Sequence, residues 1–129
     1  MDPQVGFAVD VTHALSPGCE KKQVGDIALG KGPTIARGPN FNAKLFTLVR
    51  SVAKKHGIKC QIEAEPRGTG TDADALQLTR AGVPTALISI PLRYMHTPVE
   101  MFDLRDIEAA VKLIGETIVM LDHASDFVL

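Results

Sequence analysis

Two titratable side chains, Asp10 and His96, stand where strand-like segments give way to polar ones. Asp10 follows the apolar run "VGFAV", and His96 follows "PTALISIPLRYM". A carboxylate directly after a buried strand is costly unless it is paired, hydrogen-bonded or bound to a metal. In open α/β sheets, ligand sites lie beyond the carboxyl ends of the strands. The pair therefore admits a shared oxygen–nitrogen metal site, and the alternative for each residue is a hydrogen-bonded structural role.

A glycine-rich loop, "RGTGTD" at 67–72, presents Thr71 and Asp72 at the start of a predicted helix. Glycines that lead into a helix N-terminus can cradle a phosphate. This loop lacks both the Gly-Lys-Ser/Thr ending of a P-loop and the spacing of a dinucleotide fingerprint, so nucleotide binding is only weakly indicated. An ordinary helix cap by Thr71 or Asp72 is the alternative explanation.

The residues after His96 predict a helix entry. Thr97, Pro98 and Glu100 have the form of a capping box, with the threonine as N-cap, the proline at the first helical position and the glutamate at the third. A histidine is not required for such a turn, so His96 needs another explanation.

The hydrophobic pattern predicts the elements that position these residues. An apolar stripe after Asn40, a good N-cap, predicts a helix over 41–56 that Gly57 ends. Strands alternate with helices, which predicts an α/β domain with a mostly parallel sheet and helices on both faces. The predicted strands are 5–11, 27–29, 33–37, 59–65 and 84–90, and the other helices are 72–81 and 103–122.

The length and composition of the chain limit the class of protein and the partners that it can have. The 129 residues suit one domain, and 45% hydrophobic with 22% charged residues is typical of a globular protein. A net charge of −1 argues against a nucleic-acid partner, and the apolar runs are too short to span a membrane. Cys19 and Cys60 lack the spacing of a metal or redox motif, and no signal peptide is recognisable. We therefore expect free thiols and a cytoplasmic location.

Four segments together resemble a known family, the glutamyl aminopeptidase/cellulase-M family of dinuclear metallopeptidases, which includes the tetrahedral (TET) aminopeptidases. They are "AVDVTHA" (8–14), "LGKGP" (29–33), "RGTGTDA" (67–73) and "IPLRYMHTPVEMFDLRDIEAAVKL" (90–113). The resemblance implies the C-terminal part of a zinc-exopeptidase-like (phosphorylase/hydrolase-like) catalytic domain. It also implies removal of N-terminal residues from peptides with two zinc or cobalt ions, which activate a water and polarise the scissile carbonyl.

The resemblance assigns roles to five residues. Asp10 and His96 match metal ligands of the family, and Thr71, Asp72 and Arg93 are placed near the substrate pocket. The family's His-x-Asp motif, bridging aspartate and Glu-Glu pair have no counterpart in 1–129. The general-base glutamate belongs to that pair, so no catalytic residue is assigned here. The inserted dimerisation domain is likewise expected to be absent.

We therefore expect 1–129 to bind metal weakly and to be inactive alone. The expected partners are a peptide substrate in the complete enzyme, and either a second copy of the chain or the missing N-terminal portion. Two alternatives stay open. One is a related metal-dependent deacylase, and the endoglucanase label of some family members belongs with it. The other is a non-catalytic binding or assembly module.

Overall fold

The computed structural model describes residues 3–18, 24–121 and 127, so Cys19 lies outside the described residues. Strands and helices alternate as the sequence predicts. In chain order they are β1 Gly6–His13, β2 Thr34–Arg37, α1 Ala43–Lys55, β3 Gln61–Ala64, α2 Asp72–Gln77, β4 Thr85–Arg93, β5 Met101–Phe102 and α3 Leu104–Met120.

The strands form one mixed sheet in the order β1-β4-β2-β3, and β5 pairs with the far end of β4. The β1/β4 and β2/β3 pairs are parallel, which confirms the prediction of a mostly parallel sheet. The two parallel pairs meet in a short antiparallel ladder between β2 and β4, and β5 also runs antiparallel to β4. Consequently β4 is the central strand.

Helices cover both faces of the sheet, as predicted. On one face α1 and α3 pack on each other and on the strands, around Ile35, Leu45, Val49, Ile88 and Leu113. On the other face the short helix α2 packs on β1 and β4, around Ala8, Phe41, Ala73 and Leu87. The continuous apolar run of β4 is explained by this arrangement, because both of its faces are buried.

The predicted start of α1 and the predicted strand at 27–29 were wrong, and the helix predicted over 72–81 ends at Gln77. Helix α1 begins at Ala43, and its N-cap is Asn42 rather than Asn40, because the Asn42 side chain accepts from the Leu45 amide at 2.9 Å. Residues 27–29 are not a strand. The side-chain amide of Gln61 satisfies both the N–H and the carbonyl of Ala28, at 2.9 and 3.0 Å, so this segment needs no neighbouring strand.

The predicted capping box at 97–100 was also wrong. The N-cap of α3 is Asp103, whose carboxylate accepts from the Arg105 amide. Residues 94–100 instead form a turn, in which Glu100 accepts from the His96 amide at 2.8 Å and the Thr97 hydroxyl donates to the Tyr94 carbonyl at 2.6 Å. The chain must reverse here because β5 returns antiparallel to the end of β4.

The loop before β2 is held by a buried carboxylate. Asp106, in the first turn of α3, is fully buried and accepts from the amides of Gly30 and Gly32 at 2.8 and 2.7 Å. These bonds tie the loop to a helix 74 or more residues further along the chain. Within the described part of the chain, no helix is long and apolar enough to cross a membrane.

Candidate active site

A row of polar residues crosses the sheet on the face that α2 covers. Asp10 of β1 lies opposite Ser89 of β4, Ser89 lies opposite Thr34 of β2, and Thr34 lies opposite Gln61 of β3. Ser89 and Thr34 are buried. Leu87, two residues before Ser89 on β4, belongs to the apolar core of the same face. The polar row therefore marks the boundary between that core and a candidate site.

Glu63 joins three strands at this polar face. It lies two residues after Gln61 on β3, and its carboxylate accepts hydrogen bonds from the hydroxyls of Thr12 on β1 and Thr34 on β2. The two bonds span the sheet, so the orientation of the Glu63 carboxylate and the spacing of the strands depend on each other. Sequence reasoning did not single out Glu63.

A cleft of about 790 Å3 opens beside Glu63. This volume lies within the range of small-molecule sites. Its walls come from β1, β3, β4, the loop before Ile27, and the glycine-rich loop. Among the residues that the structure describes, the charged or titratable ones lining the cleft are His13, Asp26, Glu63 and Glu65, and none is a lysine or arginine. The described carboxylates of this lining suit a positively charged group.

Burial raises the pKa of Glu65, and the neighbouring carboxylates of Glu63 and Asp74 raise it further. The folded protein therefore holds a proton on Glu65 at a pH where the unfolded chain has released it. The free energy of unfolding falls as pH rises from the ordinary glutamate value of 4.5 through the higher folded-state pKa.

We expect Glu65→Gln to remove this loss of stability. Urea unfolding of both proteins between about pH 4 and pH 7 should show the variant gaining on the natural chain as pH rises. Glu108→Gln, on the exposed side of α3, serves as the control for removing a negative charge away from the cleft. If the free energy of unfolding changed with pH in the same way for the natural chain and for Glu65→Gln, the raised pKa of Glu65 would be contradicted.

Asp10 does not end its strand, contrary to the prediction. β1 continues to His13, so Asp10 lies in its middle. Its carboxylate accepts from the Val11 amide at 2.8 Å, and the side chain is only partly buried. The burial cost expected from the sequence is thus reduced by partial exposure and one hydrogen bond.

His96 lies in the turn after β4, the parallel neighbour of β1. Its side chain is exposed, and its backbone φ is 64°. Tyr94 has a φ of 60°. This left-handed conformation costs a residue with a side chain about 1–2 kcal/mol, and such strain is concentrated at functional sites. The adjacent residue Met95 lines the cleft, which places the turn at the cleft's rim.

The three residues predicted to approach substrate differ in their surroundings. Thr71 lines the cleft and is the N-cap of α2, where it accepts from the Ala73 amide. Asp72 is exposed at the first position of that helix. Arg93 ends β4, and its Nε donates to the Leu15 carbonyl at 2.7 Å. The cap explains Thr71 structurally, and substrate binding by all three stays a prediction.

The donor types suit a divalent metal ion only in part. Asp10 offers a carboxylate and His96 an imidazole, both of which zinc accepts. Across residues 3–18, 24–121 and 127, however, no three or more histidine, cysteine, aspartate or glutamate side chains are grouped so that they could hold a metal. Zinc sites in proteins normally have at least three protein ligands.

This fold has counterparts among aminopeptidases of known structure. The structure of a TET aminopeptidase from a marine sediment archaeon of the Thaumarchaeota superposes with a TM-score of 0.85 at 34% identity, over 94% of this chain and 34% of that one. The TET1 peptidase of Pyrococcus horikoshii, which can assemble into a tetrahedron or a large octahedral shell, gives a TM-score of 0.69 at 38% identity, over 90% and 33%. The fold of this chain is therefore that of an α/β aminopeptidase domain.

The family follows from the sequence match. The model of the M42 glutamyl aminopeptidase family matches residues 1–113, and the chain belongs to this family. The lysyl aminopeptidase of Pyrococcus furiosus is 50% identical over 113 residues, which is 88% of this chain and 32% of that protein. The chain thus spans about a third of the length of these relatives.

Proposed function

We propose that this chain supplies one side of the active site of a metal-dependent aminopeptidase that removes N-terminal residues from peptides. The observation that carries the proposal is a cleft lined by the carboxylates of Glu63 and Glu65, on a domain whose relatives are aminopeptidases. Asp10 and His96 belong to neighbouring parallel strands and the turn that follows one of them. In this proposal they are two of the metal ligands, and the remaining ligands and the general base come from outside 1–129.

The metal ions, zinc or cobalt in this proposal, would supply a polarised carbonyl and an activated water when bound. This chain's own residues would hold the proposed metal ligands in position. Glu63 fixes β1 through Thr12, two residues beyond Asp10 on the same face. The turn at 94–100 sets the position of His96 through the bond from its amide to Glu100.

We expect the purified chain alone to bind zinc weakly and to show no aminopeptidase turnover. The physical reason is that two protein ligands do not complete a zinc site. Calorimetric titration with zinc and an assay on aminoacyl amides measure the two properties. Tight stoichiometric zinc binding together with turnover would contradict the prediction.

The decisive experiment supplies the rest of the family fold. This chain would be joined to, or co-expressed with, the part of the P. furiosus enzyme outside its matching segment, and metal content and hydrolysis would be measured. Aminoacyl and acylamino substrates separate a peptidase from a deacylase. A folded, metal-loaded product without activity toward either would favour a non-catalytic module.

The charge of the cleft suggests a substrate class. Asp26, Glu63 and Glu65 line it, and none of the lining residues that the structure describes is a lysine or arginine, which suits a lysine or arginine side chain at the peptide's N-terminus. The P. furiosus relative carries the name lysyl aminopeptidase, in agreement with this reading.

We expect the completed enzyme to prefer lysyl over glutamyl substrates. Glu65→Gln should lower kcat/KM for the lysyl substrate relative to a leucyl one by about fivefold, because one partly exposed charge pair contributes about 1 kcal/mol. If kcat/KM fell equally for the lysyl and leucyl substrates, Glu65 would support the structure of the cleft without contributing to the selection of a charged side chain.

We further propose a cytoplasmic location and assembly with further polypeptide, either copies of the chain or the remainder of the family fold. The half-buried free thiol of Cys60 suits a reducing compartment. The assembly of the P. horikoshii relative supports a multimeric state.

A further inference from the structure

The cleft reaches the outer edge of β3. Five consecutive residues of the chain, 61–65, line it. The side chains of a strand alternate between the two faces of a sheet, so a cleft confined to one face would be lined by every second residue. Ile62 and Ala64, which alternate with Gln61, Glu63 and Glu65, are exposed and therefore line the cleft where it reaches the edge of the strand.

This outer edge offers main-chain hydrogen-bonding groups. In the described part of the chain, β3 is the last strand of the sheet and pairs only with β2. The amides of Gln61 and Glu65 donate to carbonyls of the β2 segment, so the odd-numbered residues face β2. Ile62 and Ala64 therefore direct their N–H and carbonyl groups outward, at the border of the cleft.

We propose that a peptide substrate adds as a strand to the outer edge of β3, with its main chain bonded to Ile62 and Ala64 and its N-terminus toward Asp10 and His96. This inference rests on the proposed aminopeptidase function, and it specifies the substrate class as extended peptides. The addition of a strand to an open sheet edge is a recurrent mode of peptide recognition, in which main-chain hydrogen bonds give the affinity.

The width of the sheet sets the length of peptide that reaches this edge. The strand order β1-β4-β2-β3 separates Asp10 from β3 by three strand spacings, or about 14 Å. An extended chain advances about 3.3 Å per residue, so about four residues cover that distance. The residues that pair with β3 are consequently those beyond about the fourth residue of the peptide.

A second copy of the chain suits this edge less well than a peptide. A two-fold antiparallel pair of the segment 61–65 centres on Glu63 and sets the two Glu63 carboxylates opposite each other, which is destabilising. The strand is also short, with 4 residues, and Pro66 follows two residues after its end. Such an edge matches a short peptide segment.

Hydrogen exchange in the chain 1–129 tests the contact without turnover. The probe is an octapeptide that begins with lysine and ends in alternating threonine and valine, added at millimolar concentration. We expect the amides of Ile62 and Ala64 to exchange at least about fivefold more slowly, because each gains a hydrogen bond. The amides of Gln61 and Glu65, already bonded to the β2 segment, should change little. A lysyl tripeptide, too short to reach β3, should protect neither Ile62 nor Ala64.

The length of the substrate provides the second test, in the completed enzyme. We expect kcat/KM for the octapeptide to exceed that for the tripeptide by about tenfold, because several main-chain hydrogen bonds contribute. Methylation of the peptide amides, one at a time beyond the fourth residue, should remove this gain at every second residue, because alternate N–H groups of an added strand face β3. The methylated residues between them are the matched controls.

Ala64→Pro tests the same contact from the protein side. It removes the outward N–H of Ala64, and proline is tolerated on an edge strand. The ratio of kcat/KM for the octapeptide to that for the tripeptide should fall close to one. Circular dichroism checks that the variant is folded, and the methylated peptides decide the matter if it is not.

The two readouts separate this proposal from the proposed function. If the completed enzyme hydrolysed no peptide, the proposed function would fail, and slower exchange of Ile62 and Ala64 in the chain 1–129 would still support strand addition. Three results would each overturn strand addition: unchanged exchange with the octapeptide, equal kcat/KM for the two peptides, or protection of both amides in the completed enzyme before peptide is added. The last result would show that the rest of the family fold covers this edge.

Discussion

Asp106→Ala is expected to lower the free energy of unfolding by about 3 kcal/mol, because it leaves the amides of Gly30 and Gly32 without their charged acceptor. Asp106 is fully buried, so water does not replace the carboxylate freely. A single domain has about 5–15 kcal/mol of stability in total. The melting temperature should therefore fall by roughly 10 °C.

Two further variants sharpen this prediction. Asp106→Asn should recover only part of the loss, because its amide group supplies one acceptor but sets an NH2 donor against the second backbone N–H. Glu108→Ala, two residues along and exposed, should change stability by less than about 0.5 kcal/mol. Urea unfolding followed by circular dichroism measures all three. A small effect of Asp106→Ala would show that the loop before β2 is held by other contacts.

The elements of the fold could be predicted because their signals are local. The apolar run of β4 and the helical stripes of α1 and α3 depend only on which residues recur at which spacing. The errors arose where a distant side chain replaces a local signal. Residues 27–29 resemble a strand, but the Gln61 side chain, 33 residues away, takes the hydrogen bonds that a strand partner would take.

The turn at 94–100 shows a second kind of error. Thr97, Pro98 and Glu100 satisfy the local rule for a helix start, yet the helix begins only after Asp103. The pairing of β5 with β4 decides the outcome, and a two-residue strand leaves little trace in the sequence. The hydrogen-bonding capacity of the predicted box is still used, but within the turn that carries His96.

For the candidate site, strand order was the missing information. Asp10 and Glu63 are far apart in sequence, and the sheet places both strands beside one polar face. The segment "QIEAE" did contain a signal. Gln61, Glu63 and Glu65 alternate with Ile62 and Ala64, and the polar set is the more buried one. An alternating strand fixes which residues share a face, but the tertiary packing decides which face is covered.

Gly38→Ala is the second large effect expected. A Cβ at Gly38 would lie 1.8 Å from the Glu65 carbonyl oxygen, and the obstacle is backbone, which cannot rotate away. β2 and β3 are held together at this point by the bond from the Glu65 amide to the Arg37 carbonyl, at 2.9 Å. We expect a loss of about 3 kcal/mol, the upper end for overpacking, because the strands must separate where Glu63 of β3 and Glu65, just after β3, line the cleft.

Gly115→Ala provides the matched control with the opposite sign. Gly115 lies within α3, and no atom lies within 4 Å of its added Cβ. Alanine is preferred over glycine inside a helix by about 1 kcal/mol, so this variant should be stabilised. Urea midpoints of both variants should move in opposite directions from the same chemical change. If both fell by similar amounts, the close approach of Gly38 to Glu65 would not be what the substitution disturbs. If only the urea midpoint of Gly38→Ala fell, the substrate preference of the completed enzyme would be measured next. A lower preference of this variant for lysyl substrates would show that the cleft carboxylates depend on the spacing of β2 and β3.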